Sequence, residues 1–250
     1  MKIKFIGVGE AFDENHANTC IFVEDAGLLI DCGYSSVQYL WRDGIYNKIN
    51  AIFISHFHAD HTFGLPALLM RYREEKRVEP LVIVGARGTE KYARDITELA
   101  YAGYIDKLGF ELVFKEIDGD SELEINSAIL SFAKASHAGS SYALRIEHES
   151  KSLVYSGDTS YCAEIAELAK DADILVHEAY ASQMEKEAKG LSGHSSFLSC
   201  GLCAANSGCK KLALVHIGRD SGDTAAIEEE VRKAYKGALI TPKDGDTVEV

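Results

Sequence analysis

Long hydrophobic runs are missing from this 250-residue sequence. No apolar stretch approaches the roughly 18 residues that would indicate a transmembrane helix. The first six residues predict a strand and lack the longer apolar stretch of a signal peptide. We therefore expect a cytoplasmic protein without a membrane partner.

Positive charge is also scarce, with 26 Lys and Arg against 39 Asp and Glu and a formal net charge of −13. This balance argues against a broad basic surface for nucleic acid, although it leaves room for a local phosphate site. The six cysteines are scattered and lack the density of a disulfide-rich secreted scaffold. Because 46% of the residues are hydrophobic, residues 1–250 can bury the core of a single α/β domain.

Potential metal ligands are concentrated in the H-x-H-x-D-H string of residues 56–61. The string lies between an apolar run that predicts a buried strand and a segment that predicts a loop leading into a helix. His56 and His58 are two apart on extended backbone and point the same way, whereas Asp60 and His61 lie past the turn. The string therefore predicts one chelate for each of two metal ions, zinc by preference and manganese or iron as alternatives.

Three further candidates follow apolar runs that predict strands. His137, Asp158 and His216 each lie at or just beyond the end of such a run. Taken singly, each is explained equally well as a polar residue at a strand end. Because they lie at strand ends, their side chains can converge from separate strands.

The string and the residues that follow it resemble the signature of the metallo-β-lactamase-fold hydrolases over nearly the whole chain. The residue pattern alone indicates a mixed α/β fold, and the resemblance implies a four-layer α/β/β/α sandwich. It also implies two ligand sets bridged by one aspartate: His56, His58 and His137 for one ion, Asp60, His61 and His216 for the other, and Asp158 for both. Asp31, at the end of a predicted strand, would orient these ligands; otherwise it is a turn or helix-cap residue.

Two positions narrow the chemistry within that family. Oxygen-reducing diiron members usually carry Glu where this chain has His58, so the sequence favours hydrolysis over redox chemistry. Members that hydrolyse β-lactams lack a bridging aspartate at the position of Asp158, which argues against a lactamase. Two zinc ions roughly 3.5 Å apart would generate a bridging hydroxide near neutral pH.

A second pair of segments is similar to the ribonuclease Z-like phosphodiesterase branch. Residues 193–196, G-H-S-S, match its G-H-S-T segment, and residues 177–180, H-E-A-Y, match its H-E-A-T segment with Tyr in place of Thr. His194 is then the candidate that serves an alkoxide leaving group, or else a helix-start residue bonded to backbone. Glu178 would orient His194, or else end its strand in solvent. Asp60 is the third candidate catalytic residue.

Substrate contacts are predicted from three polar residues close to the ligands. Arg219 has the geometry to hold a phosphate through two hydrogen bonds, or else it forms a surface ion pair with Asp220 or Asp223. Ser140 and Ser141, just past His137, are weaker candidates. Cys200 and Cys203 fall within a predicted helix among small residues and predict packing rather than a metal or redox site.

The interval between His137 and Asp158 leaves room for two strands and a turn. Ribonuclease Z enzymes that process tRNA carry in this interval an inserted arm that grips tRNA. We therefore expect a small phosphodiester substrate, such as a cyclic nucleotide, and no large nucleic acid, with a homodimer as one possible state. The alternatives are a thioester or lactone hydrolase of the same fold, a ribonuclease Z-type tRNA 3′-endonuclease, and a metal-binding regulatory protein with little turnover.

Overall fold

Two seven-stranded sheets form the centre of the molecule in a computed structural model that describes residues 1–119, 121–219 and 221–250. In spatial order the first sheet contains β14 (Thr247–Glu249), β1 (Lys2–Gly7), β2 (Cys20–Val23), β3 (Leu28–Ile30), β4 (Ala51–Ile54), β5 (Leu81–Ala86) and β6 (Leu112–Ile117). The second contains β13 (Ala238–Ile240), β12 (Lys211–Val215), β11 (Ile174–Glu178), β10 (Lys151–Tyr155), β9 (Tyr142–His148), β8 (Ala128–Lys134) and β7 (Glu122–Ile125).

Each sheet combines a parallel half with an antiparallel half. Strands β3 to β6 run parallel in the first sheet, and β10 to β13 run parallel in the second. Strand β14 returns from the end of the chain and pairs antiparallel with β1. Because the carboxyl ends of neighbouring parallel strands meet at one edge, each sheet offers an edge where polar side chains can gather.

The core lies between the two sheets, where their inner faces contribute buried apolar side chains from both halves of the chain. Phe53 from β4 stacks on Phe132 from β8, with ring centroids 5.7 Å apart. Strands β4, β10, β11 and β12 are fully or almost fully buried, which explains why their sequences are mainly apolar runs.

Helices cover both outer faces and complete the four layers. The α-helices are α1 (Val37–Arg42), α2 (Ala59–Thr62), α3 (Leu65–Glu74), α4 (Thr89–Ala100), α5 (Ala163–Leu168), α6 (Gln183–Lys189), α7 (Phe197–Ser207) and α8 (Thr224–Arg232), with short 3₁₀ turns at Ile45–Lys48 and Ile105–Lys107. The predicted α/β/β/α sandwich is confirmed. Within the described residues, no helix combines the length and apolar character needed to cross a bilayer.

Local structure differs from the sequence prediction at three points. The helix expected to open at Gly193 begins at Phe197, capped by the Ser196 side chain, so His194 lies in a loop. Asp60 and His61 occupy the one-turn helix α2, which was not predicted. The spacing of Val37, Leu40 and Trp41 predicts one helix over residues 35–47, whereas the structure divides this segment into α1 and a 3₁₀ turn. These segments are short, and their conformation is set by contacts with the rest of the fold.

Candidate metal centre

The candidate ligands meet where the carboxyl ends of strands from both sheets approach each other. His56 follows β4 and the string continues through α2, whereas His137, Asp158 and His216 follow β8, β10 and β12. The fold therefore gathers residues that are far apart in sequence, as the strand-end positions predicted.

A first group of donors combines three histidines with one carboxylate: His56, His58, His137 and Asp158. One ligand atom from each lies within 4.8 Å of the others. Nε2 of His137 is 3.3 Å from Nδ1 of His58, and Nε2 of His56 is 3.7 Å from Oδ2 of Asp158. Nitrogen and oxygen atoms so arranged can hold a borderline cation such as zinc.

A second group contains Asp60, His61 and His216, all of them buried. Oδ2 of Asp60 is 3.2 Å from Nε2 of both His61 and His216. Oδ2 of Asp158 lies 3.5 and 3.6 Å from the same two nitrogens. Asp158 thus touches both groups, which is the arrangement that a bridging ligand requires.

Asp31 supports both groups from behind through four hydrogen bonds. Its carboxylate accepts from the Ser55 backbone N–H and hydroxyl, each at 2.8 Å, from Nδ1 of His61 at 2.7 Å and from the Tyr155 hydroxyl at 3.0 Å. Because the Ser55 hydroxyl has one proton and donates it to Asp31, its oxygen accepts from Nδ1–H of His56 at 3.1 Å. Asp31 therefore fixes His61 directly and His56 through Ser55, and leaves Nε2 of both rings facing the centre.

His137 is oriented by a backbone group instead. Its Nδ1 lies 2.7 Å from the carbonyl oxygen of Gly193 and donates to it, which leaves Nε2 as the ring nitrogen with a lone pair. A Cβ on Gly193 would lie 2.7 Å from that Nδ1, and its φ is +82°. Glycine is therefore required by both space and backbone conformation.

The donors fit a pair of cations. Three buried atoms that face the centre have no hydrogen-bond partner within the described part of the chain: Nε2 of His56, Nε2 of His61 and Oδ1 of Asp158. Buried polar atoms are rarely left without a partner in a folded protein, and a metal ion is one way to satisfy them.

The pKa shifts of the buried groups at the centre also favour the binding of cations. Burial, helped by His61, lowers the pKa of His56 to about 2 and keeps the imidazole neutral. Burial opposes ionisation of Asp158, but His216 and His61 outweigh it and hold the pKa of that carboxyl well below its usual range. Burial likewise lowers the pKa of His216, but Asp158 and Asp60 outweigh it and raise the value to about 9. The buried carboxylates thus draw positive charge, which divalent cations would supply.

His194 lies beside both groups and is held by Glu178. Its Nδ1 is 3.0 Å from Oε1 of Glu178 and 3.9 Å from Oδ2 of Asp158. The same Oε1 accepts the backbone N–H groups of Thr159 and Ser195, so Glu178 is buried rather than in solvent. Burial lowers the pKa of His194, but Glu178 outweighs it and the net shift is upward.

The three residues predicted to contact substrate differ in their exposure and contacts. Arg219 is exposed, and its guanidinium lies 5.8 Å from the ring centroid of Phe12. Of its alternative partners, Asp223 caps α8, and Asp220 lies outside the described residues. Ser140 is exposed, whereas Ser141 is buried and donates to the Asp158 carbonyl at 3.3 Å, so its hydroxyl supports the backbone of that residue.

Two residues at the centre were not singled out from the sequence: Ser55, directly before His56, and Tyr155, three residues before Asp158. Tyr180 was noted only as a departure from the motif's threonine, and its ring lies against His194. Cys200 and Cys203 are buried in α7 within the apolar cluster beneath the second sheet, in agreement with packing.

Comparison with known proteins adds the family. A family model described as anti-Pycsar protein Apyc1 matches residues 1–197. A ribonuclease Z from Halorubrum lacusprofundi is 28% identical over 306 residues, covering 100% of this chain and 97% of the relative.

Two solved structures share the fold over the full length of the chain. YhfI from Bacillus subtilis, a metallo-β-lactamase-fold protein, superposes with a TM-score of 0.81 at 23% identity, covering 99% of this chain and 98% of that protein. Human short-form tRNase Z gives a TM-score of 0.81 at 21% identity, covering 100% and 99%.

These similarities confirm two predictions and weaken a third. The resemblance to metallo-β-lactamase-fold hydrolases of the ribonuclease Z-like branch is confirmed, as is the class of metal-dependent hydrolase. Because relatives named ribonuclease Z align over the whole chain, the predicted exclusion of large nucleic acids is not supported. The match over residues 1–197 places the chain in the family described as anti-Pycsar protein Apyc1, with the metallo-β-lactamase fold.

Proposed function

We propose that the protein is a dinuclear zinc phosphodiesterase that acts on a small phosphodiester, such as a cyclic nucleotide. His56, His58 and His137 would hold one ion, and Asp60, His61 and His216 the other, with Asp158 shared. Zinc bound there would lower the pKa of water and withdraw charge from the phosphate ester. Manganese would suit the same donors less well, because the donor set is rich in imidazole, whereas iron is an alternative that imidazole also suits.

The observation that carries this proposal is the pairing of His194 with Glu178 beside the two donor groups. Cleavage of a phosphodiester expels an alkoxide, which needs a proton or a positive charge. With Nδ1 bonded to Glu178 at 3.0 Å, His194 has Nε2 left to deliver a proton to the departing oxygen. A thioester hydrolase would have less need of this residue, because a thiolate is a better leaving group than an alkoxide. A lactone hydrolase also expels an alkoxide, so the substrate screen has to separate that alternative.

The remaining residues bind and orient. Arg219, on the segment that follows His216, would hold a non-bridging phosphate oxygen. Ser140 is exposed near His137 and stays a weaker prediction of the same kind. Ser141 is assigned to supporting Asp158, since its hydroxyl donates to that residue's carbonyl. The separate catalytic role of Asp60, the dimer and the cytoplasmic location stay predictions.

Substrate size is argued from the interval between His137 and Asp158. It contains β9, β10 and the turn between them, and no further helix or strand. The alignment with the Halorubrum ribonuclease Z runs over 306 residues against 250 in this chain, so that relative contains segments that this chain lacks. A tRNA 3′-endonuclease is the second candidate, favoured by the relatives that carry the name ribonuclease Z.

A substrate screen on zinc-loaded protein tests the proposal. Bis-p-nitrophenyl phosphate, cyclic nucleotides, a thioester, a lactone and precursor tRNA are compared at equal enzyme concentration. We expect turnover of the first two and poor processing of tRNA. Efficient, site-selective cleavage of tRNA would replace the proposal by the endonuclease, and preferential turnover of the thioester or lactone would replace it by that class. Metal binding without turnover of any substrate would favour a regulatory protein.

A further inference from the structure

Tyr180 stacks on the imidazole of His194. The two ring centroids are 4.6 Å apart and the planes are inclined by 24°. The Tyr180 ring also lies 6.2 Å from that of His216. One face of His194 is therefore covered by an aromatic ring, at a position where the similar motif of the ribonuclease Z-like branch has a threonine.

The backbone of Tyr180 is fixed from both sides. Its N–H donates to the Ser195 carbonyl at 3.0 Å, and its own carbonyl accepts from the Gly218 N–H at 3.0 Å and the Ser221 hydroxyl at 2.9 Å. A Cβ on Gly218 would lie 2.2 Å from that carbonyl oxygen, so the approach depends on glycine. Since Ser195 adjoins His194, and Gly218 follows shortly after His216, Tyr180 joins the loops that carry both imidazoles.

The segment of residues 178–180 also restrains His194 through the edge of the imidazole ring. Glu178, two residues before Tyr180, accepts from Nδ1 of His194 at 3.0 Å. Residues two apart on extended backbone project to the same side. The carboxylate thus fixes the in-plane rotation of the imidazole, and the phenol ring blocks its tilt in one direction.

We propose that Tyr180 is a positioning residue, which keeps Nε2 of His194 directed at the leaving-group oxygen. The inference rests on the proposed function, because it requires His194 to act as a proton donor there. The inference extends the proposed function, because it assigns a role to Tyr180, which stands where the motif has threonine. Tyr180 acts on the rate through His194 and needs no contact with the substrate.

A double-mutant cycle tests this role. Tyr180→Ala, His194→Ala and the double variant are compared on a diester with an alkoxide leaving group, with zinc content measured for each. We expect Tyr180→Ala alone to lower kcat roughly 10- to 100-fold with little change in KM, as misplacing a catalytic group does. In the His194→Ala background the same substitution should change kcat less than twofold, because the group it positions is gone.

Conservative variants separate stacking from simple packing. Tyr180→Phe keeps the ring and should retain most of the rate, whereas Tyr180→Leu keeps bulk without a planar face and should behave like Tyr180→Ala. Tyr101→Ala removes a more exposed tyrosine at the end of α4 and serves as the control. With p-nitrophenolate as leaving group, the effect of Tyr180→Ala should nearly disappear, because this group departs without a proton.

The results that overturn the proposal are specific. Equal losses from Tyr180→Ala with and without His194 would mean that Tyr180 acts elsewhere, and a loss of zinc would mean that it supports the metal centre. Either result leaves the phosphodiesterase proposal standing if wild-type protein hydrolyses diesters. If wild-type protein cleaves only a thioester or lactone, the proposed function fails, and additivity measured on that substrate decides the role of Tyr180 separately.

Discussion

Nδ1 of His137 and the carbonyl oxygen of Gly193 lie 2.7 Å apart, joining a candidate metal ligand to the loop that carries His194. The bond sets the tautomer of His137 and also fixes the residue that precedes His194. The metal centre and the candidate proton donor are thus positioned by one shared contact.

Gly193→Ala should weaken this contact. The new Cβ would lie 2.7 Å from Nδ1 of His137, on backbone with φ of +82°. We expect zinc affinity to fall roughly 10- to 100-fold, as for other residues that orient a ligand, with a parallel loss of activity. Gly190→Ala is the matched control, because Gly190 also has a positive φ, +61°, and has no atom within 4 Å of an added Cβ. Titration with a competing chelator measures the affinity, and equal effects in both variants would contradict the prediction.

Asp158→Ala should reduce binding of both ions. Oδ2 of Asp158 lies within 3.7 Å of nitrogens in both donor groups, so one substitution removes a ligand from each. His216→Ala removes a ligand from the second group alone and should leave close to one ion per chain. Elemental analysis after gel filtration distinguishes the two outcomes. Two ions retained by Asp158→Ala would show that the carboxylate does not bridge.

His194→Ala should keep its zinc and lose activity. A positioned acid contributes roughly 10²- to 10⁴-fold, and this loss should shrink for p-nitrophenolate, which departs without protonation. His148→Ala, at the last residue of β9, is the control. Steady-state kinetics over a series of leaving groups measures the effect. A uniform loss across the series would point to substrate binding, and a loss of zinc would make His194 a ligand.

Arg219→Ala should raise KM for phosphodiesters by roughly tenfold, since a hydrogen bond to a charged group contributes about 1.5–3 kcal/mol. The KM for an uncharged lactone should not change, because it offers no phosphate oxygen. Arg42→Ala removes another exposed arginine, paired with Asp43, and is the control. Initial-rate kinetics provides both values, and an unchanged KM for diesters would assign Arg219 to the surface.

Glu24 gives a pH-dependent contribution to stability far from the site. Hydrogen bonds from Lys2 and Lys48 lower the pKa of Glu24 to about 2. Because the folded pKa lies below the unfolded value of roughly 4.3, the contribution is present above that value and is lost as pH falls towards 2. Glu24→Gln should therefore be less stable than wild type at pH 7 and equal to it near pH 2, by a small amount that high salt reduces. Urea unfolding measures the difference, and a difference independent of pH would exclude this cause.

The candidate site was more predictable from sequence than the local structure around it. His56, His58, Asp60 and His61 lie close together in residues 56–61, and the family resemblance then indicated that His137, Asp158 and His216, each after an apolar strand, would join them. The Tyr180 stack could not be predicted in this way, because it depends on how three separate loops meet. The same is true of the relay from Asp31 through Ser55 to His56, since a serine before a histidine has no distinctive spacing.

The predicted boundaries of helices and strands were wrong where tertiary contacts determine the backbone conformation. Gly193 and His194 are held outside a helix by hydrogen bonds to His137 and Glu178. The strands β7 and β13, with four and three residues, are too short for a periodic pattern to be distinctive. The predicted single helix over residues 35–47 is interrupted near Gly44, whose φ is +66°, a backbone conformation that no sequence period reveals.

The division of donors between the two sheets has a consequence for the time at which the donor set becomes complete during synthesis. Residues 56–61 leave the ribosome early, whereas His137, Asp158 and finally His216 follow much later, and β14 is synthesised last although it completes the edge of the first sheet. During translation the nascent chain presents a histidine-rich segment with an incomplete set of partners. Any cation captured at that stage would be held by two or three donors and would exchange rapidly. If these residues bind metal as proposed, we expect durable loading only after the strands that carry His137, Asp158 and His216 have docked.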